Sequence, residues 1–129
     1  MNTETLLLRQ VPPGFIQEGR ITSQVFRPTP KDENMLSTYN GDLISPADAW
    51  QHYTQSQLNK SVGVMAVSKG ECDRNELNVI EDREPFPEHV SIDYSGKDRK
   101  CVERIAKILK TFAQERGWLF LTEDRGGKQ

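Results

Sequence analysis

Residues 97–116 read KDRKCVERIAKILKTFAQER. Val102, Ile105, Ala106, Leu109, Phe112 and Ala113 recur there at helical spacing, so the segment forms an amphipathic helix with one apolar stripe, and Gly117 stands where such a helix ends. A stripe of that length needs a surface to cover.

The remaining apolar runs are short and have the period of strands. LLLRQV at 6–11 places Leu6 and Leu8 on one face and Leu7 on the other, and Pro12, Pro13 and Gly14 then break the ladder. SVGVMAVS at 61–68 is apolar on both faces, which fits a central strand. LNVIED at 77–82 suits an edge, and VSIDY at 90–94 turns Val90 and Ile92 inward. Met35 to Tyr39 is β-prone and runs into the Asn40-Gly41 turn signal, WLFL at 118–121 makes a last strand, and ITSQVFRP at 21–28 alternates as a further one. A second helix is expected over 46–57. Ser45 caps it, Pro46 occupies its first position, and Ala47, Trp50, Tyr53 and Leu58 form its stripe. Few helices among many short strands, joined by proline-rich connections, predict an α+β fold: a mainly antiparallel sheet packed against two principal helices. The 129 residues form one compact domain in this reading, with a flexible tail at 122–129.

Composition narrows the function without naming it. Thirty-five per cent hydrophobic residues support a core, and a net charge of -2, from 17 basic and 19 acidic side chains, gives no general attraction to nucleic acid or an anionic membrane. No apolar run spans a bilayer, and MNTETLLLRQ has no basic leader before a long apolar segment, so the expected location is the cytoplasm. Cys72 and Cys101 read as free thiols of a reducing compartment. Neither they nor His52 and His89 have a metal-ligand spacing, so no metal or cofactor is expected.

Two charged regions stand out. On the helix at 97–116, Lys97, Lys100, Arg104 and Lys107 lie opposite the apolar stripe, as a basic strip suited to an acidic protein surface or a larger complex. Residues 76–93 carry Glu76, Glu81, Asp82, Glu84, Glu88 and Asp93 against Arg83 alone, as an acidic hairpin. The expected function is therefore a small cytoplasmic protein-interaction domain or accessory subunit acting through charged surfaces, with homo-oligomerisation open.

The alternative is a small enzyme or binding domain for an anionic or nucleotide-derived ligand. Arg9 and Arg27 would orient phosphate or carboxylate groups, Ser37 and Tyr39 would contribute hydroxyls, and His89 would transfer a proton. Arg9 and the run Ser37-Thr38-Tyr39 resemble the arginine and serine-threonine elements of ADP-ribosyltransferases over those residues alone; no Glu-x-Glu segment follows them.

Overall fold

The computed structural model describes residues 1–29, 31 and 33–122. In chain order the strands are β1 (Leu6–Gln10), β2 (Ile16–Gln17), β3 (Arg20–Ile21), β4 (Met35–Asn40), β5 (Gly63–Ser68), β6 (Asn78–Ile80), β7 (His89–Asp93) and β8 (Phe120–Leu121). The helices are α1 (Pro46–Thr54), α2 (Lys69–Arg74) and α3 (Arg99–Arg116). Six strands form one antiparallel sheet in the order β6-β7-β4-β1-β5-β8, and β2 pairs with β3 as a separate hairpin. The expected α+β architecture is the observed one.

Strand alternation divides the core in two. Leu7, Leu36, Met65, Val67, Val90 and Ile92 face the helix α3, whose Ile105, Ala106, Leu109 and Ala113 are buried against them. Leu8, Val64 and Ala66 face the other way, toward Ala49, Trp50 and Tyr53 of α1. The strand β5 is thus apolar on both sides because a helix covers each face. Its first residue must be small: a Cβ on Gly63 would lie 2.3 Å from the Phe120 carbonyl oxygen, so only glycine lets β8 approach this closely.

Local signals place the helix ends. Ser45 Oγ accepts from the Asp48 amide and Asp98 Oδ1 from the Cys101 amide. Ser68 and Glu71 form a reciprocal capping box at α2. Glu71 is also gripped by both terminal nitrogens of Arg116, at 3.1 and 3.0 Å, which ties the end of α3 to α2. Desolvation pushes the Glu71 carboxyl upward, but the bonds from Arg116 and the Ser68 amide outweigh it and hold the group below its ordinary value of 4.5. Because the folded-state value is depressed, the stabilisation is complete above the ordinary value and is lost as pH falls through the lowered one. Arg116→Ala is therefore expected to destabilise by about 3 kcal/mol near neutrality, since it strands a nearly buried carboxylate. Chemical melts of parent and variant should converge in acid; a difference that persists there would contradict the linkage.

Two parts of the sequence reading change, residues 21–28 and the second helix. Residues 21–28 do not form a strand: Ser23–Phe26 is a turn of 3-10 helix. Val25 and Phe26 are adjacent and both wholly buried, which a tight helical turn permits and a strand, sending neighbours to opposite faces, does not. The second helix stops at Thr54, because Ser56 offers its hydroxyl to the Leu58 amide and its carbonyl to the Asn59 amide. Leu58 is consequently 91% exposed, and Ala49 rather than Ala47 forms the centre of the stripe. The tail expected at 122–129 lies outside the described residues apart from Thr122, whose amide still bonds to the Val62 carbonyl. Among the described residues no helix is long and apolar enough to cross a membrane.

Candidate functional site

The strands β4 and β7 pair with Ser37 opposite Ser91 and Tyr39 opposite His89. Residues two apart on a strand share a face, so Ser37, Tyr39, His89 and Ser91 all project from the α1 side of the sheet. The segment after β6 then doubles back over that side. It places Asp82 beside His89 and Phe86 against Tyr39, with ring centroids 4.9 Å apart.

The polar groups form a continuous line. Asp82 Oδ1 is 2.6 Å from His89 Nδ1, and His89 Nε2 is 3.1 Å from Ser37 Oγ. Desolvation opposes ionisation of Asp82, yet the hydrogen bonds from Ser91 and His89 hold its carboxyl below the usual carboxylate range. The group is therefore a carboxylate, which only accepts. A carboxylate partner takes a proton on Nδ1, and in the neutral ring that tautomer leaves Nε2 to accept from the Ser37 hydroxyl. The Ser91 hydroxyl donates to the second carboxylate oxygen at 2.6 Å and fixes its orientation. His89 is 8% exposed, whereas Ser37 is open to solvent.

A cleft of about 250 Å³ opens in front of this line, bounded by Leu8, Gln10, Ser37, Tyr39, His52, Phe86 and His89. Burial, with smaller contributions from Tyr53 and Glu88, pushes the Tyr39 phenol up to about 12, so it stays protonated and donates to His52 Nδ1 at 2.8 Å. Phe86 touches both histidine rings edge-on, His52 at 4.6 Å and His89 at 5.2 Å between centroids. A larger, open groove of about 780 Å³ along Trp50, Lys60 and Ser61 brings together no comparable acid-base pair. Volume alone is a poor guide here; hydrogen-bond connectivity singles out the smaller cleft.

Of the residues expected to converge, Ser37, Tyr39, His89 and Arg9 line this one cleft. Alternation carries the Arg9 side chain toward the opposite face, where Nε donates to the Val25 carbonyl at 2.7 Å, while Nη1 donates to the Ser37 carbonyl at 2.9 Å. Its guanidinium secures the backbone beneath Ser37. Arg27 does not join them: it lies in a separate hollow of about 420 Å³ with Asn34, Lys97, Arg99 and Glu103. Lys100, Arg104 and Lys107 are exposed on α3, and Lys97 is partly covered. Among the described residues no three of His, Cys, Asp and Glu stand together as metal ligands. Both cysteines are free; burial pushes the Cys72 thiol up to about 12, which leaves it unreactive near neutrality.

Sequence reasoning missed Asp82 as the partner of His89, along with Ser91, His52, Phe86 and Gln10. The signal for Asp82 was its place seven residues before His89 with Pro85-Phe86-Pro87 between them, a spacing that a short loop can close. No family model matches the chain, and neither the curated proteins nor the solved structures give a significant match.

Proposed function

We propose that this chain is a small serine-type hydrolase acting on an ester or amide. The hydrogen-bonded line from Ser37 through His89 to Asp82 at the mouth of a cleft carries this reading. In the first step the Ser37 hydroxyl proton passes to His89 Nε2 as Oγ bonds to the substrate carbonyl carbon. The tetrahedral adduct collapses, its bond to the leaving group breaks, and the leaving group takes the proton from Nε2. Water then attacks the acyl-Ser37, again losing a proton to His89, and Oγ recovers that proton as the acid departs. Asp82 is a positioning residue, which holds the ring in the competent tautomer and balances the imidazolium formed in each half. Phe86, Tyr39 and His52 supply the apolar wall against which a small group rests.

Labelling with a fluorophosphonate tests the reading directly, since attack by Oγ forms an oxygen-phosphorus bond and expels fluoride. One adduct is expected by intact mass, on the peptide containing Ser37, and none in Ser37→Ala. An unlabelled parent, or an adduct elsewhere, would remove Ser37 as the nucleophile.

The exposed Lys100, Arg104 and Lys107 favour a second reading, in which an acidic protein surface docks on α3. The sheet separates that face from the cleft, so an accessory contact and a hydrolytic site are compatible in one molecule. Free cysteines fit a reducing compartment such as the cytoplasm.

A further inference from the structure

We infer that the hollow beside the start of α3 binds a phosphate group, as the free ion or on a small monoester, through Arg27 and Lys97. The site is separate from the Ser37-His89 cleft and stands whether or not that cleft is hydrolytic.

Among the described residues, Arg9 and Arg27 are the arginines that are not fully exposed, and their surroundings differ. Arg9 donates to the Val25 and Ser37 carbonyls, whereas the Arg27 guanidinium bonds to no acceptor. Its Nε is enclosed, so contact with a ligand falls to the two terminal nitrogens, a donor pair that matches two oxygens of a phosphate. Lys97 lines the same hollow, is partly covered, and has no carboxylate partner. Covering a cation costs hydration that a counter-charge must offset, and here the protein supplies none.

The acidic groups nearby are already engaged. Glu103, the carboxylate that lines the hollow, accepts from Arg99 Nε at 3.3 Å, and Asp98 accepts from the Cys101 amide at 2.8 Å. Arg27 and Lys97 therefore face a space of about 420 Å³ as uncompensated charge. A phosphate monoester is close to doubly negative near neutrality, so it answers two cations where a carboxylate answers one. The buried Tyr94 holds the rim in place. Its amide donates to the Asn34 carbonyl at 2.9 Å, its carbonyl accepts from the Lys97 amide at 3.3 Å, and its phenol bonds to the Phe26 carbonyl, next to Arg27. Three segments of the rim are thus fixed by one residue, which lowers the cost of ordering them around a ligand. Pro28 and Val102 add an apolar wall for the organic part of a monoester.

Titration with inorganic phosphate and with phenyl phosphate, followed by amide NMR, tests the site, with sodium chloride at matched ionic strength as the screening control. Saturable shifts are expected at Asn34, Lys97 and Arg99, and Arg27→Gln and Lys97→Gln should each weaken binding about tenfold. Tighter binding of phenyl phosphate would assign a monoester and equal affinities the free ion; either supports the phosphate site. Spectra that otherwise superpose on the parent's show that a variant is folded, and if Arg27→Gln is not, Lys97→Gln decides alone. Shifts no larger than those in sodium chloride, or undiminished binding in a folded variant, would overturn the inference. An equal loss in Lys107→Gln, on α3 outside the hollow, would also overturn it, by showing a general effect of positive charge. Fluorophosphonate labelling of Ser37 should be unchanged in both hollow variants, so the failure of one reading leaves the other standing.

Discussion

His89→Ala is expected to lower kcat for ester hydrolysis by about a thousandfold or more while leaving KM nearly unchanged. The imidazole contacts the reacting hydroxyl, and without it the Ser37 proton has no nearby base. Asp82→Asn should act almost as strongly by a different route. The Ser91 hydroxyl donates to one carboxylate oxygen at 2.6 Å, so in the variant the amide oxygen stays on that side and the NH2 group turns toward His89 Nδ1. That donor forces the ring proton onto Nε2, which then cannot accept from Ser37. Combining His89→Ala with Ser37→Ala should be little worse than either alone, because the groups act as a unit. Tyr39→Phe is the contrast: the phenol bonds to His52, outside the line, and its loss should change kcat by less than about tenfold. A folded His89→Ala protein whose kcat remained within that range would defeat the mechanism.

The largest effect on stability is expected from Leu109→Asp. Leu109 is wholly buried, midway along α3, against the sheet face formed by Leu7, Met65 and Val90. Truncating such a leucine removes about 3–5 kcal/mol, and a carboxylate in its place adds the penalty of burying an unpaired charge. Because small domains are stable by only about 5–15 kcal/mol, the variant should be largely unfolded at room temperature, with its α-helical circular dichroism lost. Lys107→Asp, on the exposed side of the same helix, controls for helix propensity and should shift a chemical melt by less than about 1 kcal/mol. An unchanged midpoint in Leu109→Asp would mean that α3 does not cover the sheet through this face.

The sequence readings that match the structure rest on short-range physics. The stripe on α3, the Ser45 cap, the two-sided β5 and the opposite facing of Leu7 and Leu8 each arise from periodicity or chemistry within a few residues. Where longer-range packing competed, local pattern misled. Residues 21–28 alternate like a strand, but Val25 and Phe26 are more favourably buried together in a helical turn beneath α3. The basic strip was legible because a helix with an apolar stripe leaves its other face to solvent.

The candidate site was legible as an inventory and not as an arrangement. Ser37, Tyr39, His89 and Arg9 were identifiable by type, yet their roles could not be assigned without their neighbours. Ser37 and His89 lie 52 positions apart, and the register of β4 against β7 makes them hydrogen-bond partners. Slipping that register by one residue would turn Ser37 to the opposite face of the sheet from His89. The return of residues 81–88 over the sheet supplied Asp82 and turned an isolated serine-histidine contact into an oriented relay. Neither arginine joins the acid-base line: Arg9 turns to the α3 face and bonds the Val25 and Ser37 carbonyls, while Arg27 lies by the start of α3. By itself, the sequence determined the two longer helices, most strands and the facing of the central ones, since hydrophobic period and capping act over neighbouring residues. The tertiary structure alone decided which polar groups meet, because strand register and chain return bring together residues that no local interaction connects.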